Sequence, residues 1–128
     1  MRAPTLLAAA LALAASACTQ AGVDAEQAYA LTQGGNASMG KRWAEVYGCG
    51  GCHVIPGVPG ARGGVGPPLG EVATRLFIAG ATENKPKNLI AWIQDPQAID
   101  SATAMPRVGV TRQQARDIAA YLYTLPPR

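Results

Sequence analysis

The sequence predicts an all-α fold, with three to five short helices in one small domain. Three observations lead there. Apolar residues recur at helical spacing over 38–47, 86–95 and 111–125, as in helices that bury one face. Residues 54–70 hold six Gly and four Pro, which makes a long irregular connection. No strand-rich run flanks Cys49-Gly50-Gly51-Cys52-His53, the chemically distinctive stretch of the chain.

With 128 residues, one domain is expected. Residues 1–17 read as a lipoprotein-type signal peptide. Met1-Arg2 is a short positive start, Leu6 to Ala15 an apolar run, and Ala15-Ser16-Ala17 a small-residue cleavage site. The run is shorter than the ~20 residues a membrane span needs. Cys18 follows at once, and a signal cut before a cysteine resembles that of a bacterial lipoprotein, in which the cysteine is acylated. Ala15 departs from that pattern, because such signals more often carry Leu there. The other reading is ordinary cleavage after Ala17, which leaves Cys18 as an unpaired thiol in an oxidising compartment. Residues 18–37 are mostly small and polar and read as a flexible tether. Asp24 and Gln27 offer only a weak capping box for a short helix, which Gly34-Gly35-Asn36 would break. The folded domain is then 38–128.

Net charge is +3 and falls to about +2 when Arg2 leaves with the signal. No Lys/Arg run exceeds Lys41-Arg42, so the charge pattern gives no case for nucleic acid. Nothing after the signal is apolar enough to span a membrane. One Phe, two Trp and four Tyr make a thin core, and a domain of about 90 residues is marginal without a disulfide, metal or cofactor.

Taken in order, Ser38 is the expected cap of a helix through Tyr47, with Met39, Trp43, Val46 and Tyr47 at helical spacing and Gly48 ending it. Gly40 costs that helix about 1 kcal/mol against Ala, which makes sense where another helix crosses closely. Residues 71–79 suggest a further short helix closed by Gly80. Pro86 suits the first position of the next. Leu89, Trp92 and Ile93 share a face there, and Pro96 bars continuation past Asp95. The last helix opens at Thr111, with Gln114 completing a capping box. Ala115, Ile118, Ala119, Leu122 and Leu125 form its apolar stripe.

Cys49-x-x-Cys52-His53 is the pattern for covalent attachment of a c-type haem. Two thiols three apart can add to two vinyl groups on one porphyrin edge, and the adjacent histidine can give the iron a ring nitrogen. Three rival readings exist. A thioredoxin-like redox pair wants a βαβ context that is absent here. A structural zinc site needs a fourth ligand, and the remaining cysteine, Cys18, sits beside the signal. A Cys49–Cys52 disulfide would close a very short loop and leave His53 unexplained. A covalent haem also supplies the apolar surface that the thin core lacks. The Gly/Pro-rich loop then has a physical role beside it. A backbone carbonyl, with Pro67 in Gly66-Pro67-Pro68-Leu69 as candidate, would accept the proton of the other His53 nitrogen. The alternative is a plain surface loop. For Trp92 the alternatives are core packing and a hydrogen bond from its indole to a haem propionate.

His53 is the only histidine, which excludes a bis-histidine haem within one chain. Met39 lies one helix before Cys49, whereas Met105 sits on an irregular segment 52 residues after His53 (105 − 53) and can wrap round the far side. A lone Met is more often core filler, but here it is the available soft donor. A Met/His pair fills both axial positions and raises the reduction potential.

These residues resemble those of a class I, monohaem c-type cytochrome. The resemblance rests on G-x-x-W-A-x-x-Y-G-C-G-G-C-H (40–53), G-P-P-L (66–69), N-L-I-A-W-I (88–93), T-A-M-P (103–106) and A-A-Y-L (119–122), and spans 38–125. It implies a small cytochrome c-like domain wrapped around one covalent haem. His53 would be the proximal ligand, Met105 the distal ligand and Pro67 the carbonyl acceptor. Gly40 and Tyr121 would lie where the first and last helices cross, and Trp92 near a propionate. Residues 54–60 and 88–125 are most similar to small cytochrome domains associated with haem–copper oxidases, although this chain has no copper site and Lys85 stands where a capping residue is usual.

The resemblance implies a one-electron carrier rather than an enzyme. Its donor would be a quinol-oxidising complex or a dehydrogenase, its acceptor a haem–copper oxidase, and its place the periplasmic side of a bacterial membrane, held there through Cys18. The competing readings are a haem subunit of a periplasmic dehydrogenase, and a haem enzyme or ligand sensor with Met105 off the iron. Lys85, Lys87 and Arg107 are candidates for a basic rim that steers an acidic partner, or simply a solvated face.

Overall fold

The computed structural model describes residues 22–126, so the signal peptide (1–17) and Cys18 lie outside the described residues. Among these residues are four α-helices: α1 (Ala25–Leu31), α2 (Ala37–Val46), α3 (Pro86–Gln94) and α4 (Arg112–Thr124). The number falls within the expected three to five.

The frame is the crossing of α2 over α4, the most extensive helix pair in the molecule. It forms at Gly40, which is buried, and a Cβ placed there would run into the Asp117 backbone carbonyl of α4. The helix-weakening glycine therefore stands where two backbones touch. Buried Asp117 locks the same crossing. Its carboxylate accepts from the Asn36 backbone N–H at 2.8 Å, the Trp43 indole at 3.1 Å and the Gln113 amide at 2.9 Å, which compensates the burial of a charge.

This contact also corrects the start of α2. The cap is Asn36, whose side chain accepts from the Met39 N–H at 3.0 Å, while the Ser38 hydroxyl donates to that side chain at 2.7 Å. Both residue types cap well. The bond to Asp117 holds Asn36 in the capping position.

The flexible tether expected over 18–37 does not hold from Gly22 onward. Asp24 caps α1, and α1 lies on α4 with Ala28 and Thr32 completely buried. The Val23 N–H donates to the Tyr123 carbonyl at 3.1 Å, and the Gln113 amide to the Gly34 carbonyl at 2.9 Å. Thr32 donates through Oγ1 to the Ala28 carbonyl at 2.6 Å and accepts from the Gly35 N–H at 3.1 Å. Small side chains, read as a sign of flexibility, here permit close packing.

The short helix expected over 71–79 is absent as well. Val72–Thr74 makes a single 3₁₀ turn, and β1 (Phe77–Ile78) then pairs antiparallel with β2 (Thr82–Glu83), with Phe77 opposite Glu83 and Ile78 opposite Thr82. The Asn84 side chain donates to the carbonyls of Val72 at 2.6 Å and Arg75 at 2.9 Å, taking up acceptors a helix would need for itself. The remaining elements follow the sequence. Pro86 opens α3, with Lys85 before it making no side-chain cap. Asp95 ends α3, and Pro96–Ala98 forms a 3₁₀ turn on a fully buried Pro96. Thr111 and Gln114 form the complete capping box of α4. Leu89, Trp92 and Ile93 of α3 join Ala115, Ile118 and Leu122 of α4 in one core.

Candidate haem site

The site begins where α2 stops. Gly48, at φ 69°, turns the chain out of the helix into a 3₁₀ turn over Cys49–Gly51. The N–H groups of Cys52 and His53 donate to the Cys49 carbonyl at 3.2 and 3.0 Å, so the pentapeptide closes on itself in one turn. The following loop is tied back to it. Gly63 N–H donates to the Gly50 carbonyl at 3.0 Å, Gly66 N–H to the Cys52 carbonyl at 2.7 Å, and Leu69 N–H to the Val54 carbonyl at 2.9 Å.

That loop meets the imidazole. His53 Nδ1 lies 2.7 Å from the Pro67 carbonyl oxygen. A carbonyl can only accept, so Nδ1 is the donor here, and the neutral tautomer this selects has its lone pair on Nε2. Gly66 lies against the ring, and a Cβ there would overlap the imidazole, with Nδ1 only 2.6 Å away. Arg75 donates to the Pro68 carbonyl at 2.7 Å and holds the loop from outside.

Cys49 and Cys52 are half-buried and not joined to each other. Burial pushes the Cys49 thiol up from its ordinary range, and Cys52 nearby adds to this. Among the described residues no group of three or more His, Cys, Asp and Glu side chains gathers to hold a metal.

The thiols and His53 open into a cavity of about 350 Å³ whose walls also carry Pro67, Trp92 and Met105. Every described residue singled out from the sequence as a haem contact is thus on one cavity. Trp92 belongs there as a buried core residue. The rest of the lining is mainly apolar: Leu89 and Ile93 of α3, Ile118 and Leu122 of α4, and Val72 and Ile78 before them. Its volume and mainly apolar lining are those of a cleft that holds a largely buried ligand. Val65, Phe77 and Val108 stand on its walls while 78%, 56% and 38% exposed. Large apolar side chains at the mouth of an apolar cavity beside two free thiols and an oriented imidazole fit a planar, largely apolar group bound through sulfur.

Two lining or supporting residues were not legible in the sequence. Asn84 lines the cavity and, besides its two carbonyl contacts, accepts from the Tyr123 hydroxyl at 3.0 Å. Gln97 donates to the Met105 carbonyl at 2.6 Å. A lone amide side chain carries no spacing signal. The proposed basic rim is largely paired: Lys85 with Glu83, and Arg107 with Asp95 at 3.4 Å. The Lys85 contact holds the Glu83 carboxyl below its usual range.

Fold and site together define a haem-binding electron-transfer protein. The cytochrome c family model matches residues 37–126. A curated relative, cytochrome c oxidase subunit 2 of Alkalihalophilus pseudofirmus, is 36% identical over 90 residues, covering 70% of this chain and 25% of the relative. The chain thus spans about a quarter of that relative's length. No solved structure gives a significant match. The chain belongs to the cytochrome c family and carries a covalent haem c attached through Cys49 and Cys52.

Proposed function

We propose that the protein is a one-electron carrier with His53 and Met105 as axial ligands. It is exported, held through acylated Cys18 at the periplasmic face of a bacterial membrane, and passes electrons from a quinol-oxidising complex or a dehydrogenase to a haem–copper oxidase. One observation carries the ligand assignment: the oriented His53 imidazole and the Met105 thioether line the same apolar cavity as the two attachment thiols.

The bound haem supplies a reversible one-electron iron couple. The chain's own residues set its terms. Pro67 fixes the tautomer that presents His53 Nε2 as donor and raises its basicity. The soft thioether of Met105 favours the ferrous state. The apolar walls from α3 and α4 keep water away. With His53 and Met105 both on the iron, no position would be free for dioxygen or peroxide, and the group would supply electron transfer without bond-making. The oxidase as acceptor rests on the name of the relative, whose matching quarter is this domain. Anchoring rests on the sequence at Ser16-Ala17-Cys18.

Ferric and ferrous absorption spectra of the purified protein test this, with and without Met105→Ala. Haem that stays with the protein after acid–acetone extraction is expected, with a ferric sulfur-to-iron charge-transfer band that the substitution abolishes. A covalent haem without that band, unchanged by the substitution and binding CO, would overturn the ligand assignment. For the anchor, intact mass of the membrane-extracted protein should include the acyl chains, and Cys18→Ser should release the protein in soluble form.

A further inference from the structure

Met105 sits on a segment with almost no main-chain support. Among the described residues, no backbone-to-backbone hydrogen bond involves Ala104 to Val110, and the preceding turn closes with Thr103 N–H on the Asp100 carbonyl at 3.1 Å. The segment has neither helix nor strand. Its polar ties are made by side chains. The Met105 N–H donates to its neighbour Thr103 Oγ1 at 3.3 Å, the Met105 carbonyl accepts from Gln97 Nε2 at 2.6 Å, and Arg107 pairs with Asp95 at 3.4 Å.

Two of those three ties come from a single place, the turn at the end of α3. That turn is rigid for reasons independent of Met105. Pro96 is fully buried, Asp95 Oδ1 accepts from the Ala98 N–H at 3.3 Å, and the Ile99 and Asp100 N–H groups both donate to the Pro96 carbonyl, at 3.1 and 2.9 Å. The Asp95–Arg107 pair is largely exposed, so it contributes little. The Gln97 contact is half-buried and falls on the methionine itself.

We infer that Gln97 is a positioning residue for the distal side of the haem. By donating to the Met105 carbonyl it pins a loop that lacks main-chain bonds to the end of α3, and so sets how often the Met105 thioether leaves the iron. The inference rests on the His53/Met105 reading above and extends it from which residue binds to what keeps it bound.

The test uses the full holoprotein and imidazole as an exogenous ligand for ferric iron, because imidazole binds only in the fraction of time that Met105 is displaced. Gln97→Met keeps the side chain's length and removes the donor without adding charge. Loss of a hydrogen bond of this kind should raise the apparent affinity for imidazole roughly fivefold. Gln97→Glu has the same shape with no proton to donate at neutral pH, and should rise at least as much. Affinity at the wild-type level in both variants would overturn the role of Gln97, and so would a rise in Gln97→Met alone. Met105→Ala in the same assay separates the two claims. If it leaves both the charge-transfer band and imidazole binding as in the wild type, the ligand assignment itself has failed. If it abolishes the band while both Gln97 variants bind like wild type, only the positioning role has failed.

Discussion

The two walls of the haem cavity are built by opposite means. On the His53 side, the chain from Gly48 to Leu69 is stitched by main-chain bonds: Gly51 to Gly48, His53 to Cys49, Gly63 to Gly50, Gly66 to Cys52 and Leu69 to Val54. On the Met105 side, the stretch Ala104–Val110 has none among the described residues and hangs on side chains. Main-chain bonds survive most substitutions, whereas a side-chain tie is lost with a single one. The first wall is thus a fixed mount for the covalent group. The second is where small changes of sequence would adjust the stability of the proposed Met105 bond to the iron without disturbing attachment.

The sharpest way to break this contrast is Gly66→Val. The new side chain would occupy the space of the His53 ring, and overpacking of this kind costs about 3 kcal/mol. The expected outcome is a strong loss of correctly ligated holoprotein, read as the yield of haem with a normal ferric spectrum. An equal yield would mean that the mount is far softer than its bonds imply.

Next in size is Asn84→Ala. It leaves the carbonyls of Val72 and Arg75 and the Tyr123 hydroxyl without their partner, which should lower stability by about 2 kcal/mol in denaturant titration. Imidazole binding should stay near the wild-type value, because none of the Met105 ties is touched.

A pH-dependent effect is expected as well. Burial pushes the Tyr123 phenol up to about 12 and raises Tyr121 as well. The unfolded phenol releases its proton near pH ~10. The folded state is therefore favoured below that pH, and the advantage fades as pH rises through the folded value. Denaturant titrations across this window should show stability falling with pH, and less steeply in Tyr123→Phe.

The smallest effect should come from Arg107→Ala. The arginine side chain is 68% exposed, so its loss should cost no more than about 0.5 kcal/mol and change imidazole binding far less than Gln97→Met. A larger response would move the main tie of the loop from Gln97 to the ion pair.

The haem mount was readable because its parts lie close in sequence. Cys49, Cys52 and His53 fall within one turn, and Pro67 follows in a segment whose glycines and prolines leave few alternatives. Helix α4 was equally plain, with a stripe and a capping box over residues 111–125. What escaped depends on contacts between distant segments. Helix α1 has one buried residue, Ala28, too little for a periodic signal, and its order comes from α4. The 71–79 stretch has helix-compatible residues, but Asn84 claims two of its carbonyls from beyond the end. Asn36 and Ser38 are both good caps, and only Asp117, 81 positions from Asn36, decides between them.

The docking of residues 22–24 on α4 changes the mechanics of the proposed anchor. A flexible stretch of 20 residues would reach about 25 Å. Because Gly22 already packs on the backbone of Thr124 and Leu125, only four chain steps separate it from Cys18, at most about 14 Å when fully extended. An acylated Cys18 would then hold the domain as a stub on the bilayer, sliding in two dimensions at nearly constant height. Such a carrier meets partners whose electron entry lies at that height and misses those that project further, so the leash would select partners by altitude before any docking surface is felt.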